Sequence, residues 1–290
     1  MKIRTRCPIE PKLKVEGTGA IEYVKTWGVQ GRSEVWVGEQ SGKTQDRGEV
    51  VPATDCVVEC ASVAPKGNEK YVALTFDEGP SGATKQILQV LKEKGVTATF
   101  FLSGDAAEAS PATAKAIADA GCEIGSNSYS DDSLKGEDRE TVRKQITKGT
   151  EAIKSATGVE TMLLRAPYAA FDEQSWIDSM DLVSAVVSWN IDSGDWLLNG
   201  ADEQVSTVLD SMTPGNIVLL TDSDGCAEQT LEALPQIIDG LVADGYKIVT
   251  LSDLVKTDTA LSKKLTSLTK VSMPKNAVFP QLPKDDDTTE

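Results

Sequence analysis

From residue 71 onward, short apolar runs alternate with segments whose apolar residues recur every three or four positions. Residues 72–76 form a compact apolar run of the kind a buried strand needs. Residues 83–94 then place Ile87, Leu88 and Leu91 on one helical face, and Gly95 supplies the stop. The same reading predicts strands at 97–102, 122–125, 162–164, 183–189, 217–220 and 247–249. It predicts helices at 111–120, 137–157, 173–180, 205–212 and 229–243, with Gly121, Gly158 and Gly245 as further stops. Strand–helix alternation sustained over roughly 180 residues implies an α/β fold with a mostly parallel sheet, open or closed into a barrel.

The pattern differs on either side. Residues 12–15, 21–27, 34–37 and 49–51 are short runs carrying β-branched or aromatic residues, punctuated by Gly17, Gly19, Gly28, Gly31, Gly38 and Gly42. They predict a small β-rich N-terminal unit of hairpins over residues 1–66, short for a core of its own. After residue 257 the periodicity fades. Pro274, Pro280 and Pro283 precede an acidic end, so residues 258–290 read as a C-terminal tail, partly disordered. The α/β segment between them is residues 67–257.

Charge narrows the partners. Against 29 Lys+Arg stand 45 Asp+Glu, a net charge of -16, which disfavours nucleic acid and anionic membrane surfaces. No apolar run approaches the roughly 20 residues of a membrane span, so no membrane insertion is expected. The basic start, Met1 to Arg6, is not followed by an apolar stretch of the signal-peptide kind. The protein is therefore cytosolic, or its leader or anchor was removed. The five cysteines are an odd number. Cys56 and Cys60 are either a short disulfide or two free thiols, and their spacing is a poor zinc signal. The chain has no histidine, where typical usage of about two per cent would give about six. One reading of that absence is a designed or histidine-depleted sequence.

In β/α folds functional groups gather at the C-terminal ends of the strands. Thr75-Phe76-Asp77-Glu78-Gly79-Pro80 follows the first strand of this segment. Asn127 to Asp131, Arg165 to Tyr168, Asp192 to Trp196, and Thr221-Asp222 follow later ones. Singly, each reads as a turn, a helix cap or a surface ion pair. Five in order, each at a strand end, point to a site.

These five segments resemble, in order and spacing, the motifs of the NodB-homology polysaccharide deacetylases, carbohydrate esterase family 4. The resemblance covers about residues 70–256. It implies a distorted (β/α) barrel and removal of acetyl groups from glycans such as chitin, peptidoglycan or xylan. In that family a divalent ion held by one Asp and two His polarises the acetyl carbonyl and activates water, an Asp is the base, and a distant His is the acid.

Carried over residue by residue, the base is Asp77 and the Arg that orients it is Arg165. Asp192 stands where the acid is tuned, and Tyr168, Trp196 and Leu219 line the substrate groove. The metal positions hold Glu78, Asn127 and Asp131, and the acid position holds Thr221. Both metal imidazoles and the acid are therefore absent. Threonine has no useful acidity near neutral pH. An all-oxygen donor set suits weakly bound Mg²⁺, Ca²⁺ or Mn²⁺ rather than Zn²⁺, and the site is degenerate enough to be empty.

Three functions follow as expectations. The first is a catalytically impaired deacetylase-like protein, a pseudoenzyme, that keeps a groove for an acetylated polysaccharide or oligosaccharide. The second is an active, divergent deacetylase with an oxygen-ligated metal and Asp77 as base. The third is a structural module of a cell-surface protein. The resemblance places the chain at the bacterial cell envelope or outside the cell.

Overall fold

The computed structural model describes residues 2–265, 268 and 270–282. The predicted disordered end, residues 283–290, lies outside the described residues. The chain divides into two compact units. One comprises Met1–Gly17, Val24–Glu59 and Ser272–Glu290, the other Thr18–Tyr23 and Cys60–Val271.

The N-terminal strands are β1 (Lys2–Ile9), β2 (Leu13–Gly17), β3 (Ile21–Thr26), β4 (Gly31–Val37), β5 (Thr44–Val51) and β6 (Cys56–Ala61). In the first unit, β4 pairs antiparallel with β1 on one side and β5 on the other. Residues 272–282 join this unit through Val278 N–H to Gly28 O and Gln281 N–H to Pro11 O, both 3.0 Å. All five cysteines are free thiols. Cys56 and Cys60 lie four residues apart on one extended strand, which separates their Cα atoms by about 13 Å. A disulfide needs less than about 7 Å, so the short bridge is excluded.

The second unit carries β7 (Lys70–Asp77), α1 (Thr84–Lys94), β8 (Thr99–Leu102), α2 (Gly104–Ala109), α3 (Pro111–Asp119), β9 (Glu123–Ser126) and α4 (Arg139–Thr157). There follow β10 (Leu163–Leu164), α5 (Glu173–Ser179), β11 (Ala185–Val187), β12 (Ile191–Asp192), α6 (Ala201–Asp210), β13 (Ile217–Thr221) and α7 (Ala227–Ala243). The unit closes with β14 (Tyr246–Ile248), α8 (Leu251–Thr257) and α9 (Leu261–Lys264). Seven strands run in the order β12-β13-β7-β8-β9-β10-β11, every pairing parallel, and β14 adds to β7. The two ends of this path, β11 and β12, are consecutive in the chain and separated only by Ser188, Trp189 and Asn190. This is the predicted α/β fold with a distorted, incompletely closed barrel.

The period of two in β7 sorts its residues. Val72, Leu74 and Phe76 join Ile87, Leu91, Phe100 and Leu234 in the apolar layer beneath the helices. Phe76 and Phe100 stack there at 4.8 Å. Each such side chain contributes about 1.5–3 kcal/mol by leaving water. Ala73 belongs to a second cluster with Phe101, Leu163, Val187 and Leu254. Thr75 and Asp77 share the parity of Ala73, so the strand delivers them to the same face. The predicted stops hold: Gly95 and Gly158 end α1 and α4 in the left-handed conformation, at φ 67° and 78°.

Candidate functional site

Asp77 ends β7, and the Arg165 guanidinium comes to it from the end of β10. Nη1 of Arg165 donates to Asp77 Oδ1 and to Thr75 Oγ1, each at 2.7 Å. Nε donates to Val187 O and Nη2 to Ser188 O, both at 3.0 Å. The guanidinium lies 4.1 Å from the Phe101 ring centroid. Arg165 is fully buried and four acceptors satisfy it, the condition under which a buried charge is tolerated. Burial pushes the Asp77 carboxyl up to about 6, against the pull of Arg165 and with the push of Glu78 and Asp195. The predicted base and its predicted orienting group are thus one hydrogen-bonded pair.

Glu78 follows immediately with φ 72°, and Ser128 and Tyr168 also hold positive φ, at 65° and 58°. Such strain in non-glycine residues gathers at functional sites. Burial holds the Glu78 carboxyl above its ordinary range, with help from Asp131 and Asp195, while the Ser223 hydroxyl works the other way. Asn127 is buried, and its Nδ2 donates to Arg165 O at 2.9 Å. The loop after it packs closely on α4. A Cβ on Gly149 would meet the Ser128 carbonyl at 2.5 Å, so only glycine admits this approach. Asp131 accepts the hydroxyl of Tyr168, and that bond, more than burial, pushes Tyr168 up to about 12.

The metal implied by the resemblance does not fit these donors. No imidazole is present, and the positions Glu78, Asn127 and Asp131 offer only oxygen donors, one of which, on Asp131, already takes the Tyr168 hydroxyl. Among the described residues no three acidic or thiol side chains converge on a point that would hold an ion.

Thr221 ends β13 directly opposite Asp77 in the strand register. The carboxylate beside it is Asp195, not Asp192. Asp195 accepts from Thr221 N–H at 2.6 Å, from Thr221 Oγ1 at 2.9 Å and from Thr230 Oγ1 at 2.8 Å, and it is fully buried. Asp192 instead accepts from Gly194 N–H at 2.9 Å and from Trp196 Nε1 at 3.2 Å, which anchors the indole. Chain direction explains the difference. β12 ends at Asp192, Gly194 turns at φ 72°, and the short 3₁₀ turn Asp195–Leu197 aims the next carboxylate inward. The adjacency of Asp195 to Trp196, after a glycine, was the available signal. Leu219 is buried on β13, whereas Trp196 is 56% and Tyr168 68% exposed.

A second buried carboxylate also escaped assignment. Asp222 accepts from Ser81 Oγ and Thr84 Oγ1, each at 2.6 Å, and its N–H donates to Asp77 O at 2.8 Å. A Cβ on Gly79 would sit 2.4 Å from its Oδ2, so the turn after Glu78 closes over it only because that residue is glycine. Burial pushes Asp222 up to about 6, against the two hydroxyls.

Comparison with known proteins places this arrangement. The polysaccharide deacetylase family model matches residues 64–182. A bifunctional xylanase/deacetylase of Pseudobutyrivibrio xylanivorans is 37% identical over 189 residues, 64% of this chain but only 31% of that longer protein. This chain therefore spans about a third of that relative. A peptidoglycan-N-acetylglucosamine deacetylase of Bacillus cereus is 33% identical over 219 residues, 74% of this chain and 79% of the relative. A solved structure of a BA3943 mutant, described as a CE4 family pseudoenzyme with restored enzymatic activity, is 26% identical. It has a TM-score of 0.60 and covers 78% of this chain and 87% of that one. On the order of its five strand-end motifs, the Asp77–Arg165 pair and these matches, the chain belongs to the polysaccharide deacetylase family.

Proposed function

We propose that this protein is a deacetylase-family pseudoenzyme that binds an acetylated glycan in the groove at the strand ends and hydrolyses it little or not at all. One observation carries the reading: each residue standing at a lost histidine is bonded into the scaffold. Asn127 holds Arg165 O, Asp131 holds Tyr168, and Thr221 spends both its N–H and its hydroxyl in bonds with Asp195. None brings an imidazole to a metal, and Thr221 has no useful acidity with which to protonate a leaving group. Loss of a positioned acid costs about 10²–10⁴ in rate, and loss of the metal removes the activated water as well. The similar CE4 family pseudoenzyme supports the same reading. What remains is a recognition surface: exposed Trp196 and Tyr168, with polar groups at Asp192 and at Asp77, which buried Arg165 holds in place. The relatives' substrates, peptidoglycan among them, favour an envelope glycan as ligand.

The test is acetate release from N-acetylated chito-oligosaccharides and acetylated xylan, with and without Zn²⁺, Co²⁺, Mn²⁺ and Mg²⁺, beside an Asp77→Asn control. Glycan binding is measured in parallel for wild type and Trp196→Ala. The reading expects no release above the control and binding that Trp196→Ala abolishes. A second reading has one observation in its favour. Asp77, pushed up to about 6 and aligned by Arg165, is suited to act as a base near neutral pH. Metal-dependent release that the control abolishes selects that reading instead.

A further inference from the structure

The acidity of this chain is unevenly spread. Residues 1–59 hold nine Lys+Arg and nine Asp+Glu, so the whole net charge of -16 lies beyond them. Within the first unit, positive groups gather on one face of the three-stranded sheet. Arg32, Glu34 and Trp36 alternate along β4 and so share that face. Arg6 of β1 stands directly opposite Glu34, and the Arg47 guanidinium of β5 lies 5.1 Å from the Trp36 ring centroid.

A single carboxylate serves this group. Glu34 is 4% exposed and accepts from Trp36 Nε1 at 2.9 Å. Nε of Arg32 and Nε of Arg6 lie 3.0 and 3.6 Å from its Oε1. Glu34 therefore balances one of its two flanking arginines, and Arg47 makes no ion pair among the described residues. Arg6 and Arg32 also line a cavity of about 420 Å³, together with Pro8, Gln30 and Val51. No acidic side chain lines it, in a chain where acids outnumber bases 45 to 29. Its volume is that of a ligand site.

Arginine forks bind oxyanions, and bind a carboxylate through two parallel bonds. The group that both flanking arginines already approach is a carboxylate, which favours that oxyanion over phosphate. From Arg32 to Trp36 the strand runs about 13 Å. The charges therefore lie along a line, which suits a chain of acid-bearing units better than a single small acid.

We propose that this face of the N-terminal unit binds a glycan whose sugars carry carboxylates, with the cavity at Arg6 and Arg32 at one end of the track and Arg47 at the other. The acid follows from the arginines; that a sugar chain carries it rests on the glycan-binding reading above. None of the five strand-end motifs contributes to this site.

The experiment titrates the full chain, as wild type, Arg6→Gln, Arg47→Gln and the double variant, by calorimetry at low and physiological salt. The probes are a galacturonate hexamer, uncharged N-acetylchitotetraose, and a polyphosphate of similar length. Circular dichroism and urea midpoints check folding. Arg47→Gln, at a residue with no contact to Glu34, keeps the test should Arg6→Gln fail to fold. Wild type is expected to bind the galacturonate hexamer, more weakly as salt rises. Each single substitution should weaken binding about fivefold, the weight of one exposed ion pair, and the pair about 25-fold, with N-acetylchitotetraose binding unchanged. Absence of galacturonate binding, or equal binding by wild type and the folded variants, overturns the site; N-acetylchitotetraose binding that depends on Trp196 would then leave the groove reading standing. Arginine-dependent galacturonate binding without any N-acetylchitotetraose binding upholds the site and sinks the groove reading. Polyphosphate bound more tightly than galacturonate, with the same arginine dependence, overturns the proposal in favour of a phosphate-bearing ligand.

Discussion

Asp222→Asn isolates the electrostatic cost that this fold carries at neutral pH. Asp222 is fully buried, takes two hydroxyl bonds of 2.6 Å from Ser81 and Thr84, and makes no ion pair among the described residues. Burial raises its carboxyl from 3.8 to about 6. A folded-state value above the unfolded one means that the folded protein holds the proton more tightly. The resulting stabilisation is complete below the unfolded value and disappears as pH rises through about 6. At about 1.4 kcal/mol per pH unit, the loss between about pH 4 and pH 7 comes to about 2 kcal/mol. Asparagine keeps a carbonyl for one hydroxyl and never ionises, so whatever fixed cost the substitution brings is independent of pH. The stability of Asp222→Asn relative to wild type should therefore rise by about 2 kcal/mol across that window. Urea unfolding at closely spaced pH values, followed by tryptophan fluorescence, measures it. Parallel curves would refute the reasoning, because they would mean that the two hydroxyls already hold Asp222 at its ordinary value in the folded state.

Replacing Arg165 by Met strands the Asp77 carboxylate and three further acceptors, and should cost about 3–5 kcal/mol in urea unfolding at neutral pH. Thr221→Val removes one of three donors to buried Asp195 and should cost about 1–3 kcal/mol, again by urea unfolding, without altering glycan affinity. The combined substitution Glu78→Asp, Asn127→His, Asp131→His and Thr221→His should bring acetate release with added Zn²⁺ at least about 10²-fold above wild type, since it returns both acid and metal ligands. Release unchanged from wild type, with zinc bound by calorimetry, would show that the impairment lies elsewhere in the groove.

Why some of this was legible in the sequence and some was not follows from where each residue's information resides. The β/α order and the glycine stops were readable because buried strands and amphipathic helices leave a periodic apolar trace, whereas the Asp77–Arg165 pair was legible only through the resemblance of the strand-end motifs. β5 left none. Every residue of Thr44–Val51 is exposed, and a strand with no buried face has no pattern to display. α2 is six residues and mostly small or acidic, too short for a helical period. Asp192 and Asp195 lie three residues apart, and both are acidic and close to a strand end. Only the left-handed turn at Gly194 decides which one points at Thr221. That turn also changes the meaning of the substitution at Thr221. Asp195 holds Thr221 through two bonds and a second threonine, Thr230, through a third. A buried carboxylate left without donors costs about 1–3 kcal/mol or more. Thr221 and Thr230 supply those donors. On the proposed reading, the want of an acid at residue 221 and the integrity of the fold therefore meet in the same three side chains.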